Sequence, residues 1–346
     1  MASEVAYRLF EDELIDLVLC FSPSLSVAHG IKETFSRRLN CHFNGEIGAI
    51  GKSLTYQAIQ YLDNSFWQTI RKYRVLVIFD EIHHCSGSSQ EVANAWGQQI
   101  LVKIQGLAKY TLALSGTPWR SDALPIVMAE YTDPEGQLVC DYQYTLAQAV
   151  NDGVCRSPKI VLIDNEKLTI ATDEGDKSYP SILELLKSSN ISYRNVIFNN
   201  QAVEYLVRLA CDKLSEIRKE SPNAGGLVVA ASVEHAKSLC NLLRNKFNQK
   251  ATIVTYKHDD ALAEINRFKN GVTEWIVSVG MISEGTDIPR LQVCCHMSSV
   301  KTELYFRQVL GRILRVNNSP NQEALVIYVR RRKPSFNSRS NGTRYP

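Results

Sequence analysis

No run in the 346 residues stays apolar for the ~18–20 positions that a membrane-spanning helix needs. No membrane partner is expected. The opening MASEVAYRLFEDEL has neither the basic leader nor the apolar stretch of a secretory signal. Nine cysteines are present, yet none forms C-x-x-C, which removes the commonest zinc and redox spacings. Their odd number and scatter suit buried, reduced thiols, and a cytoplasmic location is expected. Cys294 and Cys295 are adjacent, so on a strand their side chains point to opposite faces. Acid is absent from one place. Residues 330–346 hold six basic side chains (Arg330, Arg331, Arg332, Lys333, Arg339, Arg344) and no Asp or Glu. The whole chain is net +3, but the body without this tail carries 33 basic against 36 acidic residues and is net −3. The mild basicity is therefore no evidence of a nucleic-acid-binding body. The tail has the composition of a disordered basic arm that meets phosphates nonspecifically, and equally that of an out-of-frame ending.

What is present is enough for sizeable cores: 45% hydrophobic and 9% aromatic residues exclude a wholly disordered chain. The length predicts two domains. Short β-branched runs alternate with helical patterns, as in parallel sheets covered by helices. In the first half, strands are expected at Leu17–Phe21, Leu54–Tyr56, Val75–Phe79 and Thr111–Leu114, with helices near Val27–Leu39, Ile59–Lys72 and Gln90–Leu107. In the second, strands are expected at Leu227–Ala231, Ala251–Thr255, Trp275–Val279, Gln292–His296 and Ala324–Val329. Helices there fall near Ala202–Lys219, Val233–Phe247, Asp260–Asn270 and Thr302–Leu314. Between the blocks the pattern loosens, and Asp164–Tyr179 reads as an exposed excursion. The expected organisation is a domain at 1–150, a linker at 151–190, a second domain at 191–329 and the tail at 330–346. Ligands of doubly wound sheets sit beyond the carboxyl ends of the strands, so the residues just past each strand end are the candidates for chemistry.

Asp80-Glu81-Ile82-His83-His84 comes directly after Val75–Phe79. A carboxylate there is placed to hold Mg²⁺ beside a nucleotide, and its neighbour to orient or deprotonate a water. Alternatively, the two acids merely close a strand. Zinc on His83, His84 and Cys85 is disfavoured, because three consecutive residues rarely converge on one ion. Ser115-Gly116-Thr117-Pro118 ends the next strand, with hydroxyls available to report the state of the acidic pair. Alone it is an ordinary turn. Ser283-Glu284-Gly285-Thr286-Asp287-Ile288-Pro289 lies beyond Trp275–Val279, where Gly285 permits close backbone approach and Asp287 can accept from a hydroxyl. In Gln308-Val309-Leu310-Gly311-Arg312-Ile313-Leu314-Arg315, the arginines three apart share a helix face. They suit either charge neutralisation on a transferring phosphoryl group or a solvated basic surface.

In this order, from about residue 5 to residue 329, the segments resemble the superfamily 2 helicases and translocases, in particular the DExH type. The resemblance implies an α/β fold of two tandem RecA-like doubly wound parallel-sheet domains, with ATP and Mg²⁺ as cofactors. DEIHH resembles motif II, with Asp80 and Glu81 at the Mg²⁺ and water-activating places and His83 at the DExH histidine. SGTP resembles motif III, which implies a coupling role for Ser115 and Thr117. SEGTDIP resembles motif V and QVLGRILR motif VI. The implied catalytic set is thus Asp80, Glu81, Gln308, Arg312 and Arg315, with Gly285 and Asp287 also at the nucleotide. Phe21-Ser22-Pro23-Ser24 resembles motif Ia, with Ser22, Pro23 and Ser24 as the implied contacts, and Thr55-Tyr56-Gln57 resembles the next nucleic-acid-contacting motif. Val228–Ser232 sits where motif IV belongs, and Ser232 and Thr286 join the implied nucleic-acid contacts. DNA is preferred over RNA as partner, with other subunits of a DNA-processing system as further partners.

Such an enzyme needs a phosphate loop, G-x-x-x-x-G-K-[ST]. None occurs: the nearest match, Gly51-Lys52-Ser53, has Glu at position 46 where the pattern demands glycine, and it leads into a strand instead of a helix. By family order the loop belongs ahead of residues 2–13, which have the apolar spacing of the helix it opens. The first domain is therefore expected to be truncated at its N-terminus. The expected function is ATP-dependent nucleic-acid unwinding or translocation, and the alternative is a non-hydrolysing remnant or subunit with residual nucleic-acid binding.

Overall fold

Val75-Leu-Val-Ile-Phe79 is apolar at every position because both faces of its strand are covered. In the computed structural model Leu76 and Ile78 enter one core, and Val75, Val77 and Phe79 enter another. The structure describes residues 1–86, 94–120, 124–164, 168–172, 175–256, 260–280, 282, 286–300 and 302–329. It comprises two units, Met1–Asp141 and a second beginning at Tyr142.

The first unit runs α1 (Ala2–Glu11), β1 (Leu17–Ser22), α2 (Leu25–Leu39), β2 (Gly51–Thr55), a 3-10 turn (Tyr56–Tyr61), α3 (Asn64–Lys72), β3 (Val75–Asp80), α4 (Ala95–Lys103) and β4 (Tyr110–Leu114). A small antiparallel pair comes next, β5 (Glu130–Tyr131) and β6 (Leu138–Val139). The main sheet is parallel in the order β2-β1-β3-β4. On one face α1 and α2 pack Ala6 and Phe35 against Val18, Cys20, Leu76 and Ile78. On the other, Trp67 and Ile70 of α3 and Ile100 of α4 meet Leu19, Phe21 and Phe79. Side groups of Ser24 and Asp63 open α2 and α3 by accepting from Val27 and Phe66 amides, which satisfies otherwise orphaned donors.

The second unit runs α5 (Leu146–Asn151), β7 (Pro158–Ile163), the β8 (Leu168–Thr172) and β9 (Gly175–Tyr179) hairpin, α6 (Ile182–Ser188), α7 (Tyr193–Ile197), α8 (Asn200–Glu220), β10 (Gly225–Val229), α9 (Val233–Asn245), β11 (Ala251–Thr255), α10 (Ala261–Asn270), β12 (Trp275–Val279), β13 (Leu291–His296), α11 (Glu303–Ile313) and β14 (Ala324–Val329). The order of its six-stranded sheet is β11-β12-β10-β13-β14-β7, all parallel. Helices α6 to α9 cover one face and α10 and α11 the other. Cys295 lies in the first of these cores and Cys294 in the second, as their adjacency on a strand requires. All nine cysteines are free. Gly226 is the residue that lets Trp275 pack flat on the sheet, since a Cβ there would stand 2.3 Å from the indole.

The expected linker at 151–190 is corrected in two respects. Its β7 is a full member of the second sheet, in register with β14 from Ala324↔Pro158 to Val329↔Ile163. Ile182 and Leu185 of α6 belong to the same core. β7 lies at the edge of the sheet, where Ile160 and Leu162 remain 47% and 48% exposed, although its run Ile160-Val161-Leu162-Ile163 is as continuously apolar as that of a central strand. The unit boundary falls at Asp141, ahead of α5, whose Leu146 packs into the second unit. Among the described residues no helix is long and apolar enough to cross a membrane.

Candidate functional site

The buried strand β3 delivers Asp80 to the carboxyl end of the first sheet, and both Asp80 and Glu81 are only partly covered there. Glu81 has φ 52 and ψ 50, a left-handed conformation that costs a non-glycine residue about 1–2 kcal/mol. Such strain persists where the surroundings enforce it. The chain turns so sharply here that His83 comes back under the strand end, 3% exposed. Its Nδ1 lies 2.9 Å from Ser115 Oγ, 3.5 Å from Thr117 Oγ1 and 3.3 Å from Glu81 Oε2. The Thr117 amide donates to Ser115 Oγ at 3.1 Å, and the Arg120 guanidinium donates to the His83 carbonyl. The turn after β4 thus grips the histidine. These hydroxyls and Glu81 Oε2 all converge on the His83 imidazole. Asn94 locks the far side, donating to the His84 carbonyl at 2.8 Å while its Oδ1 accepts from Ser86 and Gly97 amides. Cys85 is fully buried, and burial pushes its thiol far above the ordinary range.

In the second unit Gly285 lies outside the described residues, with Ser283 and Glu284. Beyond them Asp287 is exposed and accepts from the Arg315 guanidinium, with Lys269 Nζ at 3.9 Å. Arg312 donates to the Thr286 carbonyl at 2.9 Å. The structure therefore brings Thr286, Asp287, Arg312 and Arg315 together. Arg315 lies just past the end of α11, not on its face as the three-residue spacing implied. Gln308 is half-buried on α11. Arg156, which no motif or spacing singles out, is 1% exposed and braces this region. Its guanidinium donates to the carbonyls of Leu291 (2.6 Å), Pro289 (3.0 Å) and Ile313 (3.3 Å) and to Gln322 Oε1 (3.0 Å). Burial lowers its pKa to about 10.

The expected nucleic-acid contacts divide. Pro23 and Ser24 are partly exposed at the start of α2, and Gln57 is exposed. Ser232 is partly exposed and caps α9 by accepting from the His235 amide at 3.1 Å. Four others are corrected, because their side chains face inward. Ser22 is fully buried, its hydroxyl 3.4 Å from the Leu54 carbonyl. Thr55 and Thr286 are 8% and 7% exposed. Tyr56 is fully buried and donates its hydroxyl to the Asp80 carbonyl at 2.8 Å. The motif resemblance that names them gives no warning of this, since a residue at or near a strand end is as easily buried as exposed.

The donor set at Asp80 and Glu81 fits Mg²⁺ held by one or two carboxylates and substrate phosphates. Among the described residues there is no cluster of three or more His, Cys, Asp or Glu that would hold an ion alone. Gly51-Lys52-Ser53 forms the body of β2, with Lys52 paired to Leu19, so it does not form a phosphate loop.

Residues 203–317 match the helicase conserved C-terminal domain. An uncharacterised protein of Mycobacterium leprae is 31% identical over 259 residues, which cover 73% of this chain and 42% of that protein. The DNA 3′-5′ translocase XPB2 of Sulfurisphaera tokodaii is 26% identical over 287 residues, 73% of this chain and 58% of the translocase. The chain thus spans under two thirds of the length of each relative. Among solved structures, a fragment assigned as the HsdR subunit of a type I restriction enzyme from Vibrio vulnificus superposes with a TM-score of 0.55 at 16% identity. That match covers 91% of this chain and 53% of the fragment; it speaks to fold.

Proposed function

Because the chain is a superfamily 2 helicase, two RecA-like sheets with a helicase conserved C-terminal domain, we propose that it is an ATP-dependent translocase or helicase acting on DNA. The observation that carries this reading is the bonding of His83 to Ser115 and Thr117. It fastens the strand end bearing Asp80 and Glu81 to the neighbouring turn.

Asp80 would hold Mg²⁺, and Glu81 would orient and take a proton from the attacking water. Bound MgATP supplies the phosphoanhydride and an ion that neutralises its charge. Arg312 and Arg315 would stabilise charge on the transferring phosphoryl group, Arg315 exchanging its Asp287 partner for phosphate. Ser24, Gln57 and Ser232 offer backbone amides, hydroxyls and an amide side chain to backbone phosphates, a sequence-independent grip weakened by salt. DNA is preferred because the translocase relative is named for it.

A second reading rests on Gly51-Lys52-Ser53, which forms the body of β2 and not a phosphate loop: a non-hydrolysing helicase-fold subunit that keeps nucleic-acid binding. Displacement of a third strand from duplex DNA tests the first reading. ATP-dependent displacement from DNA and none from duplex RNA supports it. Salt-sensitive DNA binding with no displacement and no turnover supports the second.

A further inference from the structure

We propose that Tyr56 is a positioning residue for Glu81, acting through the main chain of Asp80 and tying the acidic pair to the segment Thr55–Gln57. The proposal rests on the reading of Glu81 as the group that faces the attacking water.

Tyr56 leaves the sheet at the end of β2, and Asp80 ends β3, with β1 between the two strands. The Tyr56 ring is fully buried and stacks on Trp96, with centroids 5.6 Å apart and planes at 19°. Packing accounts for the ring. It does not account for the hydroxyl, which donates to the Asp80 carbonyl at 2.8 Å. That oxygen belongs to the peptide joining Asp80 to Glu81, and the tilt of this peptide sets φ of Glu81. The value is 52, in the left-handed region. A net hydrogen bond of ~1 kcal/mol is of the same order as the cost of that conformation. Removing the donor leaves the peptide free to relax and swing the carboxylate with it.

The flanking residues differ sharply, since Thr55 is buried in the sheet end and Gln57 is exposed. A ligand pulling on Gln57 pulls on the residue that pins the acidic pair. Sequence-independent contact at one place is thereby linked to the geometry of a carboxylate at another.

Tyr56→Phe keeps the ring and removes the hydroxyl. The expected result is a fall in DNA-stimulated kcat of roughly tenfold to a hundredfold, the cost of misplacing a reacting group by ~1 Å, with KM for ATP and melting temperature little changed. A crystal structure of the variant should show the Asp80–Glu81 peptide rotated and Glu81 out of the left-handed region. Trp96→Phe perturbs the same packing but spares the hydroxyl, and should keep kcat near the parent value. A Tyr56→Phe structure with Glu81 still left-handed overturns the proposal whatever the turnover. So does a lowered melting temperature with unchanged kcat, which marks Tyr56 as a packing residue. If the parent chain hydrolyses no ATP, the functional reading fails and the backbone of Glu81 still decides the role of Tyr56.

Discussion

His83 Nδ1 and Ser115 Oγ lie 2.9 Å apart, 32 positions distant in the chain but on the ends of neighbouring strands. The bond joins two segments that the sequence presents separately. Ser115→Ala removes it and also strips the Thr117 amide of its acceptor. A stability loss of about 1 kcal/mol is expected, together with reduced turnover, and Ser115→Thr should restore both. Urea unfolding and steady-state hydrolysis check this. Unchanged stability in Ser115→Ala would mean that the hydroxyl does not hold the imidazole.

Arg156 is the interior brace of the second unit. Arg156→Met leaves the carbonyls of Pro289, Leu291 and Ile313 without their guanidinium donor. Bonds to charged donors contribute about 1.5–3 kcal/mol each, non-additively, so a loss of at least ~3 kcal/mol is expected. Arg156→Lys should rescue little, because an ammonium cannot reproduce the planar fork. Denaturation followed at Trp275, the one tryptophan beyond residue 141, measures this unit. A loss under ~1 kcal/mol would contradict the assignment.

Gly51 and Lys52 test the rejection of a phosphate loop in β2. A Cβ on Gly51 would stand 2.4 Å from the Val18 carbonyl and 2.2 Å from the Phe43 ring. Gly51→Ala should therefore destabilise the first unit by about 1–3 kcal/mol, as overpacking does. Lys52→Ala should leave ATP affinity unaltered. A tenfold loss of nucleotide affinity in Lys52→Ala, measured by titration, would return Lys52 to the phosphates.

His235 gives the second unit an acid-sensitive point. It is 5% exposed, its Nδ1 accepts from the Ala231 amide at 3.3 Å, and its ring stacks on Phe198 with centroids 4.3 Å apart. Burial, with Arg194 nearby, lowers its pKa to about 4. A depressed histidine means that the unfolded chain binds the proton first. Stability is complete above pH ~6.5 and is lost as pH falls toward 4, by roughly 3 kcal/mol. The lowered carboxylates Glu204 and Glu323 act below their usual range, which separates the windows. Unfolding between pH 7 and 4.5 should show this slope, and His235→Phe should flatten it.

The fold was legible wherever a strand was buried on both faces. Val75–Phe79 announces itself by apolar residues at all five positions, and Trp275–Val279 by apolar residues at every position but Ser278. β7 carries the same kind of signal in Ile160-Val161-Leu162-Ile163, but the run is only four residues long and opens on Pro158 and Lys159 in a loosely patterned stretch, so its place at the sheet edge shows only in the fold. At the candidate site, spacing located Asp80, Glu81, His83 and the 286–315 cluster. The resemblance offered Tyr56 and Thr286 as nucleic-acid contacts, and the tertiary fold turns both side chains inward. Arg156 carries no sequence signal: between Cys155 and Ser157 it resembles any surface arginine, and only the carbonyls that converge on it reveal its place.

The measurement that bears most directly on the proposed activity is ATP hydrolysis by the 346-residue chain with and without DNA, compared with Glu81→Gln and Arg315→Ala. The account predicts turnover stimulated by DNA. It also predicts a loss of at least ~10²-fold in Glu81→Gln, as for removal of a general base, and of about 10³-fold in Arg315→Ala, as for loss of an arginine finger. Hydrolysis that ignores DNA, or that survives Glu81→Gln at the parent rate, would contradict it.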